Sequence, residues 1–375
     1  MSEWQEVSLG EITSKIGSGA TPRGGGESYK ESGTSLIRSQ NILDFKFSTN
    51  GLAFIDDAQA YELRSVSVEP DDVLLNITGD SVARCCVVPD NILPARVNQH
   101  VAIVRANKDK AESHFIYYML QSIKEELLMQ SEIGATRNAL TKGMIEGIKL
   151  SLPPLPEQKA IASVLSSLDD KIDLLHRQNT TLERMAETLF RQWFVEEAQE
   201  DWDVVPFGEL FEISSGKGLK KEQLSDTGLY PVLGANGEIG RTNDFLFNEK
   251  LIFTGRVGTL GNIFRVNNEK VWLSDNTLIF RNIKYFYFVY FALNNAGLSD
   301  YNVGSTQPLV RQSDIKAIEI LMPNNHEYLN RFEAEAELIF SKINSNDKQI
   351  QTLEKLRDNL LPKLMSGEVR VDLAS

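Results

Sequence analysis

The chain has 375 residues, of which 42% are hydrophobic and 24% are charged. This composition is typical of folded globular domains and excludes a largely disordered protein, and the length predicts two or three domains. The sequence has no apolar run of about 18 residues and no signal-peptide pattern, so we expect a cytoplasmic protein without a membrane-spanning helix. The two cysteines, Cys85 and Cys86, are adjacent, which excludes a disulfide framework and metal-ligand spacing.

The net charge is −13, from 39 basic and 52 acidic residues. Taken alone, this charge argues against a nucleic-acid partner, because phosphate binding depends on lysine and arginine. The acidity is spread along the chain, however, and salt screens distant charges, so a local basic surface remains compatible with the total.

The sequence contains an internal duplication. Residues 4–12 recur at 202–210, residues 134–153 at 304–323, and residues 171–189 at 342–360. The pattern Leu75…Thr78-Gly79 also recurs, as Leu251…Thr254-Gly255. Because the matches keep their order in both copies, they predict two similar structural units.

Each copy has the same predicted plan, which makes the fold class α+β. Short apolar runs bounded by Gly, Asn or Asp predict strands at 73–77 and 101–104, with counterparts at 251–253 and 277–280. We predict four consecutive regions: a first globular domain at 1–154, a long helix at 155–200, a second globular domain at 201–325 and a second long helix at 326–375.

The two long helices carry apolar residues at alternating spacings of three and four, which is typical of a coiled-coil seam. Each seam includes one asparagine, Asn179 or Asn346. A helix of about 38 residues would be about 57 Å long and needs a partner stripe. We expect the two helices to form an intramolecular antiparallel coiled coil, with a pseudo-twofold axis relating the two domains, in preference to intermolecular coils. The seam positions are Ile161, Leu165, Leu168, Ile172, Leu175, Asn179, Leu182, Ala186, Leu189 and Trp193, and Leu329, Phe332, Ala336, Ile339, Ile343, Asn346, Ile350, Leu353, Arg357, Leu360 and Leu364.

No motif of covalent chemistry is found in the sequence. The four histidines are isolated, no zinc-ligand spacing occurs, and the aromatic motif of an adenine methyltransferase is absent. We therefore predict a chain with no catalytic residues and no metal site. Two similar domains on a rigid spacer suit a split DNA site. A bivalent protein-binding adaptor, or a methyltransferase or nuclease polypeptide, stays as an alternative.

Two segments carry a specific family resemblance. Residues 152–161, LPPLPEQKAI, lead into the first long helix, and residues 360–370, LLPKLMSGEVR, close the second. Together with the repeated opening at Trp4 and Trp202, these segments resemble the specificity (S) subunit of Type I restriction–modification enzymes over essentially the whole chain. One departure is that residues 322–325 replace the Pro-Leu-Pro-Glu-Gln motif at the second helix.

The resemblance implies two target-recognition domains that each read half of a split double-stranded DNA target. It also implies that the helices act as a ruler for the unread gap. The implied partners are two modification subunits, which methylate adenine with S-adenosylmethionine, and restriction subunits, which use ATP and Mg²⁺. We expect no cofactor in this chain.

Candidate DNA-binding residues are polar or basic side chains in turn-rich stretches, because such groups contact base edges and phosphates. In the first copy they are Thr21, Arg23, Lys30, Arg38, Ser39, Asn41, Arg84, Asn98 and Arg137. In the second copy they are Lys217, Lys220, Lys221, Asn236, Arg241, Arg256, Thr259, Asn276 and Gln307. The 217–221 cluster and the Arg241/Arg256 pair are the strongest candidates.

Candidate docking residues for the modification subunits are expected to face outward from the helix pair. They are Asp169, Asp170, Phe190, Trp193 and Phe194. Trp193 also lies on the seam, so packing within the chain is an equal alternative for its side chain.

Overall fold

The computed structural model describes residues 4–132, 138–256, 261–301 and 309–371. These residues form two compact units: unit 1 comprises Met1–Leu175 with Lys348–Ser375, and unit 2 comprises His176–Asp347. Both boundaries fall inside the long helices, so each helix contributes to both units. The four-region division drawn from the sequence stays a prediction.

Unit 1 combines short strands with helices, as the α+β prediction requires. Its strands are β1 (Gln5–Ser8), β2 (Thr13–Ser18), β3 (Thr34–Ile37), β4 (Ile42–Leu43), β5 (Lys46–Phe47), β6 (Ala53–Ile55), β7 (Ser67–Val68), β8 (Val73–Asn76), β9 (Cys85–Val87), β10 (Ala95–Val97), β11 (Val101–Ala106) and β12 (Lys149–Leu152). Its helices are α1 (Leu9–Ile12), α2 (Asp57–Glu62), α3 (Ser113–Ser122), α4 (Lys124–Glu132), α5 (Lys142–Glu146) and the first part of α6 (Leu155–Arg191).

Two four-stranded sheets form the body of unit 1, in the orders β2-β11-β8-β9 and β6-β3-β10-β7. Strand β11 is buried on both faces: Ala102 and Val104 join a core that includes α3, whereas Val101 and Ile103 join the core of the second sheet. This double burial explains why the strand is apolar at successive positions and does not alternate with polar residues.

Unit 2 is built on one six-stranded sheet, in the order β14-β19-β17-β18-β15-β16. Its strands are β13 (Asp203–Pro206), β14 (Glu212–Ser215), β15 (Tyr230–Gly234), β16 (Gly237–Thr242), β17 (Phe247–Gly255), β18 (Ile263–Leu273), β19 (Thr277–Arg281) and β20 (Glu319–Met322). Its helices are α7 (Phe286–Asn295), α8 (Gln312–Ala317) and α9 (His326–Met365), whose last part belongs to unit 1. The strands expected at 73–77, 101–104, 251–253 and 277–280 are confirmed.

Equivalent backbone hydrogen bonds in the two units support the duplication. The amide of Leu9 donates to the carbonyl of Ile148 at 2.9 Å, and the amide of Phe207 donates to that of Ile318 at the same distance. The antiparallel pair β1–β12 likewise corresponds to β13–β20.

One of the repeat matches is wrong by three residues. Val101 pairs with Asn76, whereas its counterpart Thr277 pairs with Gly255. Asn76 is therefore equivalent to Gly255, and the Thr-Gly pairs of the two copies are not equivalent. A short apolar run followed by Thr-Gly does not determine which residues of the two copies are equivalent. The pairing with the neighbouring strand determines it.

Helices α6 and α9 pack against each other along the seam and run antiparallel. In unit 1, Ile172 and Leu175 of α6 pack with Ile350 and Leu353 of α9. In unit 2, the later part of α6, including Ala186, packs with the earlier part of α9. The seam positions are buried or half-buried, so the prediction from the three-and-four spacing is confirmed.

Candidate nucleic-acid interface

Four loop segments of unit 1 meet where β8 ends and β11 begins. Hydrogen bonds join them: the amide of Ala20 donates to the carbonyl of Val97, that of Ile77 to His100, and that of Leu140 to Ile77, at 3.1, 3.0 and 2.9 Å. We define surface 1 as residues 19–21, 77–79, 98–100 and 138–140. These segments are far apart in the sequence, and the strand pairing brings them together.

Unit 2 repeats this arrangement. The amide of Lys217 donates to the carbonyl of Leu273, that of Arg256 to Asn276, and that of Val310 to Arg256, at 2.9, 2.8 and 3.4 Å. We define surface 2 as residues 216–218, 255–256, 274–276 and 309–310. The two units therefore present different side chains on the same backbone framework.

A glycine stands at the start of each surface because the backbone passes too close for a side chain. A Cβ atom at Gly19 would lie 1.8 Å from the carbonyl oxygen of Val97, and one at Gly216 would lie 2.1 Å from that of Ser274. Both distances are far below a van der Waals contact, so both positions require glycine.

A chain of polar side chains crosses surface 1. Thr21 is hydrogen-bonded to the side-chain oxygen of Gln99, and Nε2 of Gln99 lies 3.2 Å from Nε2 of His100. Nδ1 of His100 lies 2.6 Å from the hydroxyl of Thr78. Gln99, His100 and Thr78 were not among the residues selected from the sequence. Gln99 and His100 directly follow Asn98, which was selected, but no local signal places Thr78 beside them.

The candidates of unit 1 occupy several environments. Thr21 and Asn98 lie on surface 1, although Asn98 is 7% exposed and its side-chain oxygen accepts a hydrogen bond from the amide of His100. Asn41 is fully buried, and its side chain bonds the backbone of Arg38, Ser48 and Asn50. The expectation that Asn41 contacts DNA is therefore wrong, because turn-stabilising bonds use its amide.

The basic candidates of unit 1 are partly engaged within the chain. Arg38 stacks on Tyr29 at 5.3 Å and donates to the carbonyl of Gly51. Lys30 forms an exposed ion pair with Asp56 at 3.4 Å. The remaining candidates differ in exposure, since Arg23 is exposed and Ser39 and Arg84 are half-buried.

In unit 2, surface 2 carries three of the candidates: Lys217, Arg256 and Asn276, all exposed. Lys220 and Lys221 are exposed shortly after it in the chain, and Asn236 is exposed at the turn between β15 and β16. The 217–221 cluster thus stays accessible, and it places positive charge beside surface 2.

The candidates Arg241 and Arg256 lie apart in the sheet of unit 2. The guanidinium of Arg241 donates to the carbonyls of Gly228 and Leu229, at 2.8 and 3.1 Å, and pairs with Glu238 at 2.9 Å. Arg241 lies on β16, three strands away from β17 in the sheet, which is about 14 Å. Arg241 therefore holds the loop before β15, and DNA contact by Arg241 and Arg256 stays a prediction. Arg137, Thr259 and Gln307 lie outside the described residues.

The described residues contain no group of three or more His, Cys, Asp or Glu side chains that could hold a metal ion. In the same part of the chain, no helix is long and apolar enough to cross a membrane.

A family model described as "Type I restriction modification DNA specificity domain" matches residues 1–184 and 199–361. The chain belongs to this family. It is the DNA specificity subunit of a Type I restriction–modification system, in which catalysis lies in the partner modification and restriction subunits.

Curated relatives agree with this assignment, and a solved structure shares the fold. The chain is 29% identical to the Type I restriction enzyme MjaIX specificity subunit of Methanocaldococcus jannaschii, over 71% of each chain. It is 24% identical to the MjaVIII specificity subunit of the same organism, over 82% of this chain and 81% of that one. The crystal structure of a Type I S subunit from M. genitalium has the same fold, with a TM-score of 0.61, 17% identity and 96% coverage of both chains.

The expected docking residues of this specificity subunit do not all face outward. Phe190 and Phe194 are only 5% and 6% exposed, because they pack against α7 as well as α9. Their expected outward orientation is wrong. Trp193 is half-buried, and its ring lies 4.9 Å from that of Tyr328, so packing within the chain is the better description.

Of the two adjacent aspartates of α6, one faces outward and the other is engaged within the chain. Asp170 is exposed, whereas Asp169 accepts a hydrogen bond from the hydroxyl of Tyr118 at 2.7 Å and pairs with Arg357 at 2.9 Å. Burial raises the pKa of Asp169, and these two hydrogen bonds oppose the rise. Asp169 therefore holds α6, α9 and α3 together within unit 1 and does not face outward.

Proposed function

We propose that each unit reads one half of a split double-stranded DNA target, unit 1 with surface 1 and unit 2 with surface 2. The observation that carries this proposal is that the same four segments, joined by equivalent backbone hydrogen bonds, present different side chains in the two units. A retained framework with changed side chains is what reading two different half-sites requires, because base edges are discriminated by individual donors and acceptors.

Accessible basic residues supply the phosphate contacts in this proposal. In unit 2 they are Arg256 and the lysines of the 217–221 cluster. In unit 1 they are Arg23, Lys30, Arg38 and Arg84, and the polar residue Thr21 is a further candidate. Phosphate contacts hold the protein in register without selecting a sequence. Since the whole chain carries a charge of −13, we expect weak DNA binding by the isolated chain and tighter binding by the assembled complex.

The helix pair has two proposed roles. It fixes the unread gap between the half-sites, because α6 and α9 each contribute to both units. Its exposed positions, including Asp170, dock two modification subunits. Those subunits would use S-adenosylmethionine to methylate adenine, and restriction subunits would use ATP and Mg²⁺, all acting on DNA in the cytoplasm. The predicted boundaries 1–154, 155–200, 201–325 and 326–375 separate the reading regions from the spacer regions.

Methylome mapping tests this function. The chain is expressed with its partner subunits in cells that lack other adenine methylation, and modified positions are read by single-molecule sequencing. The expected result is one split adenine motif with a fixed gap. A contiguous motif, or methylation without sequence preference, would contradict the proposal. Assembly without any sequence preference on DNA would favour the bivalent adaptor.

A further inference from the structure

The side chains on surface 1 form a hydrogen-bond chain with a single consistent direction. The hydroxyl of Thr21 donates to Oε1 of Gln99, and Nε2 of Gln99 donates to Nε2 of His100. A histidine that accepts at Nε2 carries its proton at Nδ1, which here donates to the hydroxyl of Thr78. The amide of Gln99 is therefore held in one orientation by Thr21 of another segment and by the neighbouring His100, which Thr78 of a third segment holds in turn.

This arrangement leaves one donor and one acceptor site of the Gln99 amide for a ligand. One N–H and one lone pair of the carbonyl oxygen are used by His100 and Thr21, and Gln99 makes no further side-chain hydrogen bond to the described residues. The side chain is exposed. A second N–H and a second lone pair of the carbonyl oxygen thus remain unused on an accessible amide, whose N–H and C=O groups are adjacent.

A donor beside an acceptor is the pattern that matches adenine in the major groove. The second N–H can donate to N7 of the base, and the carbonyl oxygen can accept from the N6 amino group. Guanine presents two acceptors at the corresponding positions, so the carbonyl oxygen of Gln99 would face O6 without a proton between them.

The equivalent position in unit 2 supports a reading role. The backbone bonds around 98–101 recur around 274–277: the amides of Asn98 and Ser274 each donate to the preceding parallel strand, at 3.0 Å in both cases. This equivalence places Asp275 where unit 1 has Gln99. A carboxylate only accepts hydrogen bonds when ionised, so the same backbone position offers different hydrogen-bonding chemistry in the two units.

We propose that Gln99 is a specificity-determining residue that reads one adenine of the half-site bound by unit 1, with Thr21, His100 and Thr78 as positioning residues. This inference rests on the proposed function, because it requires that surface 1 faces DNA. It adds the residue, the base and the two atoms that are read.

The test uses the full chain assembled with its modification subunits and a duplex that carries the mapped target. Each adenine is replaced in turn by 7-deazaadenine, which lacks the N7 acceptor, and the Kd is measured by competition. For the wild type, one adenine should show a penalty of about 5- to 160-fold, because the loss of N7 leaves the Gln99 donor without a partner, at a cost of about 1–3 kcal/mol. The variants Gln99→Ala and Gln99→Glu lack the donor, so the 7-deazaadenine penalty at that adenine should fall below about twofold. The penalties at adenines of the other half-site should persist.

Asp275→Ala is the matched variant in unit 2, and it must leave the 7-deazaadenine penalties of the unit 1 half-site as in the wild type. The inference is overturned if every adenine keeps its penalty in both Gln99 variants, or if no adenine shows a penalty in the wild type. It is also overturned if Gln99→Ala weakens binding to target and unrelated DNA equally, which would indicate a phosphate contact. A wild-type complex that methylates no split motif would instead contradict the proposed function.

Discussion

Asn346 donates a hydrogen bond from its side-chain amide to the side-chain oxygen of Asn179, at 2.8 Å, inside the apolar seam between α6 and α9. Asn179 in turn donates to a carboxylate oxygen of Asp347 at 2.7 Å. The asparagine of each seam therefore bonds the asparagine of the other, and such a polar pair in an apolar seam favours one register of the helices. Within the described residues, the side-chain oxygen of Asn346 is buried without a partner, which is the cost of this arrangement.

Replacing one asparagine should cost more than replacing both. In Asn179→Leu, the buried amide of Asn346 loses its acceptor, and we expect a loss of about 1–3 kcal/mol in the free energy of unfolding. The double variant Asn179→Leu/Asn346→Leu should recover most of this loss. Chemical denaturation of both variants and of Gln178→Leu, an exposed control on α6, measures the coupling; additive losses would contradict the bond.

The ion pair between Arg357 and Asp169 in unit 1 should also be coupled, and breaking it should reduce the free energy of unfolding by more than breaking the asparagine pair does. The side chains of Arg357 and Asp169 are 9% and 19% exposed, and the guanidinium of Arg357 also lies 3.6 Å from the ring of Phe45. Arg357→Leu leaves the Asp169 carboxylate buried without its cation, so we expect a loss of about 3–5 kcal/mol. Arg357→Leu/Asp169→Leu should lose less than Arg357→Leu alone.

The exposed second partner of Arg357 provides the control. Asp358 has a side chain that is 59% exposed, so Asp358→Ala should lose less than about 1 kcal/mol. Urea denaturation gives the free energies of unfolding. A double variant as unstable as the sum of the two single variants would show that the pair is not coupled.

The glycine at the start of surface 1 should tolerate no side chain. Gly19→Ala places a methyl group inside the contact distance of the Val97 carbonyl, so the loop must move. We expect loss of recognition of the half-site read by unit 1, with the other half-motif retained. The matched control is Gly17→Ala in β2, because a Cβ atom there meets nothing within 4 Å. Methylome maps of both variants check this; an unchanged motif in Gly19→Ala would contradict it.

Shortening both helices together should shorten the gap in the DNA target. Residues 172–178 of α6 and 347–353 of α9 contain the four apolar residues that pack together, so their joint deletion preserves the remaining seam. Seven helical residues span about 10.5 Å, which corresponds to about three base pairs. We expect a gap shorter by about three base pairs, with both half-motifs unchanged. Deletion from one helix only should abolish assembly, and an unchanged gap would disprove the ruler.

The carboxylate of Glu333 should make stability depend on pH. It accepts hydrogen bonds from the backbone amides of Tyr287 and Phe288 at the start of α7, at 3.1 and 2.8 Å. Burial raises its pKa despite these bonds. The folded chain therefore holds this proton more tightly than the unfolded chain does. The contribution of Glu333 to stability is present at acidic pH and is lost as the pH rises through the folded pKa.

Glu333→Gln removes this titration, so the stability of the variant relative to the wild type should increase from about pH 4 to pH 7. Chemical denaturation across that range measures the difference. Glu335→Gln, an exposed position on the same helix, is the control and should show no such trend. A relative stability of Glu333→Gln that falls with rising pH would contradict the raised pKa.

The long-range spacing of residues predicted much of this architecture. The duplication and the seam were visible because the repeated segments and the helical spacing persist over many residues. The faces of Phe190 and Phe194 were assigned wrongly because α7 buries a second side of α6, and a helical period contains no information about a third element. Asn41 and Arg241 were chosen as polar turn residues, but local turn bonds use their side chains. Gln99, His100 and Thr78 were missed because only the pairing of β8 with β11 brings them together.

The polar groups of the seam are not exchangeable between the two helices. A shift of 171 residues superimposes the first seam on the second, and it places Ala186 at the position of Arg357 and Phe340 at that of Asp169. If α6 met another copy of itself, Asp169 would therefore lose its arginine. The cost of an unpaired buried charge discourages such an encounter. The seam is therefore selective for the unlike pair: α6 is expected to associate with an α9 segment and not with α6 of a second chain.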